Sequence, residues 1–351
     1  METALTYQNA VVREWPHVIR EKSRESGKVR FEKAIAQFNA QLEAIEKRCA
    51  DPAEHADAIF KATTKTINTM MEACRKFEHE FSYDKTALKA AQVRFREMTM
   101  PMLSKSYFIN RARTWPQGYQ GDYKTLETAY RNMPLSDGIG YYLDKYTLSS
   151  PLAGGVRGRL DKLFSLLRKE LVIRKNPSVL DVACGSCREV SELVPEIKQS
   201  GARFTCIDLD SDALNFALQR LALAGLEEGQ IELFAYNALR LFDIETAIAE
   251  FGMRDIIYSV GFFDYLPDEF LVKLLRSLYL LLNPGGKLIA SFKDSERYRS
   301  QEFHWLVDWD GFLLRKVKDF ERLLHEADIP SKALTVERDA SGVVLFYTAT
   351  K

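Results

Sequence analysis

The sequence contains no long hydrophobic run, which limits what the protein can be. No stretch approaches the roughly 18 uninterrupted apolar residues that a membrane-spanning helix needs, and the residues after Met1 do not combine a basic start with an apolar core. We therefore expect a soluble, cytoplasmic protein with no membrane span.

An excess of charge of one sign is also missing. Lysine and arginine total 49 residues, and aspartate and glutamate also total 49, so the formal net charge is 0. Because a positive field attracts nucleic acid, its absence predicts no nucleic-acid partner. The 351 residues, of which 46% are hydrophobic, are enough for two domains with substantial cores.

Cysteine is scarce and scattered. The five cysteines lack the even number and regular spacing of a disulfide framework: Cys49, Cys74, Cys184, Cys187 and Cys206. Cys184 and Cys187 form a Cys-x-x-Cys pair, but no second cysteine or histidine pair at zinc spacing accompanies them. Small residues are also typical of a tight turn, so the sequence predicts neither a redox pair nor a metal site.

What the chain does contain is a tight turn between an apolar strand and a helix. Residues 178–182 are mostly apolar and include Asp181, small residues follow as far as Cys187, and a helical pattern starts near Arg188. In a βαβ unit, small side chains in such a turn let backbone N–H groups approach a ligand. The pattern predicts a cofactor site here, with packing alone as the alternative explanation of the turn.

Four more strand patterns follow, separated by helical ones, and polar or small residues end three of them. The predicted strands cover residues 204–207, 231–236, 255–260 and 287–292, and the first three end at Asp208, Asn237 and Gly261. Asp208 stands roughly where a nucleotide-binding fold places the acid that accepts from ribose hydroxyls. The alternation predicts an α/β fold with a parallel sheet.

This arrangement resembles the class I S-adenosylmethionine-dependent methyltransferases. Their motif is an acid followed by three spaced glycines; Asp181 and Gly185 match it, while Ala183 and Cys187 replace the outer glycines. The Gly-x-Gly-x-x-Gly of pyrophosphate binders is absent. The resemblance implies S-adenosyl-L-methionine as cofactor, S-adenosyl-L-homocysteine as product, and a Rossmann-like seven-stranded sheet with its last strand antiparallel, supplied by a hairpin of residues 332–337 and 343–350.

The domain boundary is predicted before the strands begin. Residues 1–154 are expected to form a helical N-terminal cap or substrate-binding region, and residues 155–351 the S-adenosylmethionine-binding methyltransferase domain. Apolar stripes at helical spacing, several of them rich in methionine, indicate helices in the first region: Phe31, Ile35, Phe38, Leu42 and Ile45; Ile67, Met70, Met71, Cys74 and Phe77; Leu88, Val93, Phe95, Met98 and Met102. We interpret the stripes as a bundle core, with a substrate groove or a homodimer interface as the alternative.

Four motifs sharpen the resemblance. They lie at residues 118–122, 157–159, 258–266 and 305–309, and Tyr-Ser-x-Gly-x-Phe-Asp-Tyr-Leu at 258–266 is the most specific. Together they are similar to bacterial methyltransferases assigned to 3-hydroxypalmitic acid methyl ester biosynthesis. The resemblance implies methyl transfer to a small-molecule or fatty-acid substrate, with carboxyl O-methylation of a 3-hydroxy fatty acid as the leading expectation.

The resemblance also assigns cofactor contacts. Asp181 and the Gly185 backbone are expected at the methionine end, Asp208 at the ribose, and Asn237 with the Ala238 N–H at the adenine edge. The remaining members of the predicted cofactor-binding set are Ala183, Leu209, Gly261 and Phe262. Asp210 is a second ribose candidate, with a helix cap as the alternative.

The acceptor site is predicted from the same motifs. The expected substrate-binding residues are Tyr119, Arg157, Phe263, Asp264, Tyr265 and Trp309, and the expected catalytic residues are Tyr265, His304 and Tyr119. The two phenylalanines at 262 and 263 have burial in the core as their alternative, and His304 has simple packing. A carboxylate acceptor is already ionised near neutral pH and needs no general base.

Two other functions stay open. An O- or N-methyltransferase of a natural-product small molecule would need a base such as His304. A cofactor-binding scaffold with a protein partner would explain the altered positions Ala183, Cys187 and Asn237.

Overall fold

The computed structural model describes residues 25–51, 53–227, 229–309 and 311–351, and for residues 2–24 only the helix to which they belong. The chain forms two compact units that alternate along the sequence. The helical unit comprises Met1–Pro116, Met133–Thr147 and Gln301–Trp309, and the sheet unit comprises Gln117–Asn132, Leu148–Ser300 and Asp310–Lys351. The boundary expected after residue 154 stays a prediction.

The helical unit is built mainly from the first helices of the chain. Its helices are α1 (Glu2–Cys49), α2 (Ala56–Glu80), α3 (Lys85–Leu103), α4 (Tyr107–Thr114) and most of α6 (Gly138–Leu148). None of the helices in the described parts of the chain combines the length and the apolar character needed to cross a membrane.

The apolar stripes of α1 and α2 are buried, as the core interpretation predicts. A short π-helix, Glu302–Leu306, adds Trp305 to this core. The Trp305 ring lies 5.0 Å from the Phe31 ring and 5.9 Å from the Phe95 ring, and its Nε1 donates to Glu78 Oε1 at 2.7 Å. The segment after the fifth strand therefore completes the helical core.

The predicted stripe of α3 is partly wrong. Val93 is exposed, whereas Gln92, Arg96 and Thr99 are buried on the face that includes Phe95. Burial of Arg96 is possible because its guanidinium donates to the His304 carbonyl at 2.9 Å and lies 3.2 Å from an Asp308 carboxylate oxygen. Apolar spacing alone misses a face that buries paired polar groups.

The sheet unit alternates strands and helices as predicted. Its strands are β1 (Ser178–Val182), β2 (Arg203–Asp208), β3 (Ile231–Ala235), β4 (Arg254–Ser259), β5 (Leu282–Lys293), β6 (Leu334–Arg338) and β7 (Val344–Thr350). Its helices are α5 (Tyr123–Arg131), α7 (Pro151–Ile173), α8 (Arg188–Glu192), α9 (Val194–Ser200), α10 (Ser211–Leu223), α11 (Ile244–Phe251), α12 (Asp268–Leu280) and α13 (Val317–Glu326).

The seven strands form one sheet in the order β3-β2-β1-β4-β5-β7-β6. Strands β1 to β5 run parallel, and β7 runs antiparallel to both β5 and β6. The predicted seven-stranded sheet with an antiparallel last strand is therefore confirmed. The strand order reverses between β1 and β4, where open α/β sheets leave a crevice for ligands at the carboxyl ends of the strands.

Candidate active site at the carboxyl end of the sheet

The turn after β1 has a backbone that favours glycine at three positions. Ala183, Gly185 and Cys187 have φ angles of +61°, +54° and +46°. A left-handed conformation costs an L-residue about 1–2 kcal/mol, so the two non-glycine residues hold local strain. A Cβ on Gly185 would meet no atom within 4 Å, so the backbone there borders open space into which a ligand fits.

Asp208 at the end of β2 is tied to this turn. Its Oδ2 accepts from the Gly185 N–H at 2.7 Å, and its Oδ1 accepts from the Asp210 N–H at 2.9 Å. Burial raises the pKa of the Asp208 carboxyl, and these backbone donors oppose the rise. A carboxylate offers about four lone-pair sites, so Asp208 retains capacity for a hydroxyl donor.

Asp181 on β1 is almost completely buried, with 2% of its surface exposed. Its Oδ2 has no hydrogen-bond partner among the described residues. Burial, followed by the nearby Glu189 carboxyl, raises the pKa of Asp181, and burial raises the pKa of Glu189 to about 7. Tyr258 donates to Glu189 Oε1 at 3.0 Å. An unpaired buried acceptor beside an open turn fits a ligand that brings its own donor.

Glu127 of α5, which lies outside the sheet, forms hydrogen bonds and ion pairs with residues in and near the same turn. Its carboxylate accepts from the Ser186 hydroxyl at 2.8 Å, from Arg188 Nη1 at 3.1 Å and from Arg220 Nη1 at 2.7 Å. Hydrogen bonds from Arg220 and Ser186 lower the pKa of Glu127 against the opposing effect of burial. Sequence reasoning missed Glu127, because its partners are separated from it by dozens of residues.

The other predicted nucleoside contacts follow the carboxyl ends of β2 and β3. The Asn237 Oδ1 accepts from the Leu239 N–H at 3.0 Å and so caps a short 3₁₀-helix, while Ala238 is buried. Leu209 is 71% exposed. Asp210 caps α10 and also accepts from the Tyr119 hydroxyl at 2.7 Å. Partial burial, reinforced by Asp210, raises the pKa of Tyr119, so this hydroxyl is a donor rather than a base.

Arg159 of α7 lies against Gly261, which follows β4. Gly261 has a φ of +97°, and a Cβ there would be only 2.5 Å from Arg159 Nη1. Arg159 is 4% exposed, its Nη2 has one hydrogen bond to the Tyr130 hydroxyl at 3.4 Å, and its Nε has no partner in the part of the chain that the structure describes. A buried guanidinium with spare donors fits an anionic ligand.

Arg157, the arginine predicted to bind substrate, has a different environment. Its guanidinium donates to the main-chain carbonyls of Ala129 at 3.3 Å and Leu148 at 3.0 Å. The helical spacing of apolar residues distinguishes the two arginines. Arg159 is on the buried stripe of α7 that begins at Leu152 and continues at i+4, i+7 and i+11, whereas Arg157 is not on this stripe.

A buried ion pair lies next to Arg159. Lys293 at the end of β5 pairs with Asp264, and both side chains are at most 5% exposed. Burial lowers the pKa of Lys293 to about 8. Asp264, predicted to contact substrate, also accepts from the Lys293 backbone N–H at 3.2 Å. Two cations and one carboxylate leave this buried region with a net charge of about +1 at neutral pH.

The aromatic residues of the predicted acceptor motif differ in exposure. Phe263 is completely buried in the hydrophobic core, whereas Phe262 is partly exposed and packs against that core. The Tyr265 hydroxyl lies against Gly121, where a Cβ would be 2.7 Å from its oxygen. Burial and then the charge of Asp264 raise the pKa of Tyr265, so its hydroxyl remains protonated.

The two remaining predicted residues, His304 and Trp309, belong to the helical unit. Burial, followed by opposing effects of Glu78 and Lys89, lowers the pKa of His304, so its imidazole is neutral at pH 7. Trp309 stacks on Phe303 with ring centroids 5.8 Å apart.

One family model matches part of the chain, and several proteins of known structure are similar to it. Residues 180–288 match the family described as a methyltransferase domain. A protein of Bordetella parapertussis described as a possible exported protein has 18% identity and a TM-score of 0.54, over 94% of this chain and 98% of its own, which shows a shared fold. No curated protein matches.

Two methyltransferases of known structure show weaker similarity. A magnesium protoporphyrin IX methyltransferase from Synechocystis PCC 6803 has 14% identity and a TM-score of 0.41, over 57% of this chain and 82% of its own. The N-methyltransferase NodS from Bradyrhizobium japonicum has 19% identity and a TM-score of 0.40, over 65% of this chain and 97% of its own.

Proposed function

We propose that the chain is a class I S-adenosylmethionine-dependent methyltransferase that methylates the carboxyl group of a small or lipid-like acid, with a 3-hydroxy fatty acid as the leading candidate. The match of residues 180–288 to a methyltransferase domain supports the methyl-transfer part of this proposal. Bound S-adenosylmethionine supplies a methyl group on a sulfonium sulfur. We assign its methionine end to Asp181 and the Gly185 backbone, its ribose to Asp208, and its adenine edge to Asn237 with Ala238.

The unpaired donor of Arg159 is the observation that supports a carboxylate acceptor. A buried cation is costly unless an anion pairs with it, and Asp264, the carboxylate whose charge acts on Arg159, already pairs with Lys293. An acceptor carboxylate next to Gly261 would balance the net positive charge and receive the free Arg159 Nε–H. A neutral phenol or amine acceptor would leave that charge unbalanced.

The protonation states of the neighbouring groups agree with this acceptor. The raised pKa values of Tyr119 and Tyr265 keep both hydroxyls protonated, so they donate hydrogen bonds and do not abstract protons. A carboxylate needs no base, because its pKa is well below 7. The chain therefore contributes orientation of the acceptor and exclusion of water, which supply most of the acceleration in an in-line transfer.

The test is transfer of labelled methyl from S-adenosylmethionine to a series of 3-hydroxy fatty acids. Each acid is paired with its primary alcohol, which has the same chain and lacks the carboxylate, and small phenols and amines complete the panel. Mild alkali then hydrolyses esters and leaves ethers and N-methyl groups intact. We expect label on the acids alone and its release as methanol; alkali-stable label on another acceptor would refute the carboxylate assignment.

A further inference from the structure

Three of the five cysteines meet beneath the turn that follows β1. The Cys206 thiol, on the neighbouring strand, is close enough to affect the pKa values of both Cys184 and Cys187. A carboxylate oxygen of Asp181 and the sulfur atoms of Cys184 and Cys187 all lie within 4.8 Å of one another. The turn and two adjacent strands thus bring soft sulfur atoms and one hard oxygen atom together.

The fold creates this cluster from distant parts of the chain. Cys206 on β2 is the register partner of Asp181 on β1, so the two side chains point to the same face of the parallel pair. The Cys187 N–H donates to the Cys184 carbonyl at 3.1 Å, and this turn brings the other two thiols back over that face. Cys187 and Cys206 are fully buried, and Cys184 is partly exposed at the entrance.

We propose that Asp181, Cys184 and Cys187 bind one thiophilic divalent cation, with Zn²⁺ as the physiological candidate, and that Cys206, the register partner of Asp181, completes the ligand set. Three thiolates and one carboxylate are a suitable set for a tetrahedral zinc site, because sulfur ligands select zinc over magnesium or calcium. The unpaired, 2% exposed Oδ2 of Asp181 is independent support, since it is a buried acceptor that the protein leaves without a donor. Binding forms metal–sulfur bonds and releases the thiol protons to solvent, with no change of oxidation state.

The cation and the cofactor would compete for the same turn. This consequence rests on the proposed function, because Asp181 and the Gly185 backbone are the residues assigned to the methionine end of the cofactor. A cation that takes the Asp181 carboxylate lowers cofactor affinity, and bound cofactor lowers cation affinity by the same factor. The cluster therefore makes methyl transfer sensitive to free zinc.

The test is a titration of the full, phosphine-reduced chain with Cd²⁺, whose thiolate bonds absorb in the near ultraviolet. We expect one ion per chain with the absorption of several cadmium–thiolate bonds, and displacement of that ion by Zn²⁺. Cys184→Ser is the main variant, because Cys184 is the most exposed of the three thiols. Cys49→Ser and Cys74→Ser are matched controls, since both residues belong to the helical unit.

We expect Cys184→Ser and Cys206→Ser to lose the absorption while both controls keep it. Thermal melting shows whether each variant is folded, and Asp181→Asn serves as a second probe that leaves all the thiols in place. Absence of a one-to-one complex in the wild-type chain, or its persistence in folded Cys184→Ser, would overturn the proposal.

The link to the cofactor is measured separately by titrating S-adenosylmethionine with and without one equivalent of Zn²⁺. We expect a loss of affinity within the usual range of coupled sites, about 5- to 150-fold. An unchanged affinity in zinc-loaded protein refutes the competition. Carboxyl methylation without metal binding overturns the metal site alone, and metal binding without carboxyl methylation overturns the proposed function alone.

Discussion

Replacement of Arg159 by methionine separates the function of its charge from its contribution to stability. The change keeps a long unbranched side chain beside Gly261 but removes the buried guanidinium. Its Nε has no partner in the described structure, and its one hydrogen bond, to Tyr130, is 3.4 Å long. An unsatisfied buried polar group costs about 1–3 kcal/mol, so we expect the free energy of unfolding to stay constant or rise by about that amount.

Activity should change in the opposite direction. Truncation of one partner of a buried, hydrogen-bonded charge pair costs about 2–5 kcal/mol. At 1.36 kcal/mol for each factor of ten, kcat/KM for a carboxylic acid acceptor should fall about 30-fold or more. Cofactor affinity should change little, because Arg159 is not among the residues that we assign to the cofactor.

The assay combines urea unfolding, cofactor titration and initial rates of methyl transfer. Arg157→Met is the matched control, since Arg157 is on the same helix and donates to the main-chain carbonyls of Ala129 and Leu148. We expect this control to lose stability and to keep most of its kcat/KM once folded. An Arg159→Met variant with wild-type kcat/KM and a lower free energy of unfolding would refute the reasoning.

Three further perturbations have defined outcomes. Gly261→Ala should lower the free energy of unfolding by about 1–3 kcal/mol in urea, because its φ is +97° and its Cβ would strike Arg159. Burial lowers the pKa of Lys293 from 10.5 to about 8, so the unfolded chain keeps this proton to higher pH than the folded chain does. The free energy of unfolding should therefore rise by up to about 3 kcal/mol between about pH 8 and 10.5. Lys293→Arg should abolish that rise. Glu127→Gln should weaken cofactor binding measured by calorimetry and cost roughly 3 kcal/mol of stability, because two arginines lose a buried anion.

The sequence predicted the sheet well because its signals are local. Each strand is a short apolar run, and Asp181 and Asp208 are recognisable because they stand at or near the ends of such runs. Parallel strands bring their carboxyl ends to one edge, so neither acid needed a long-range contact to be identified. The antiparallel β7 followed from the terminal hairpin.

Sequence reasoning missed the contacts between residues that are far apart in the chain. Glu127 joins Arg188 and Arg220, and Cys206 joins the Cys184–Cys187 pair only through the register of β1 and β2. Nothing local in the chain specifies these pairings. Trp305 also returns to the helical core far from its partners in sequence, although an aromatic segment within a charged insertion was a visible sign.

The atom that receives the methyl group is the most direct test of the central claim. The measurement is carbon-13 NMR of the product formed from S-adenosylmethionine labelled in its methyl group and a 3-hydroxy fatty acid. We predict a methyl ester, identified by coupling of the labelled methyl protons to the carboxyl carbon. A methyl ether on the 3-hydroxyl group would contradict the account, because Arg159 would then have bound no reacting carboxylate.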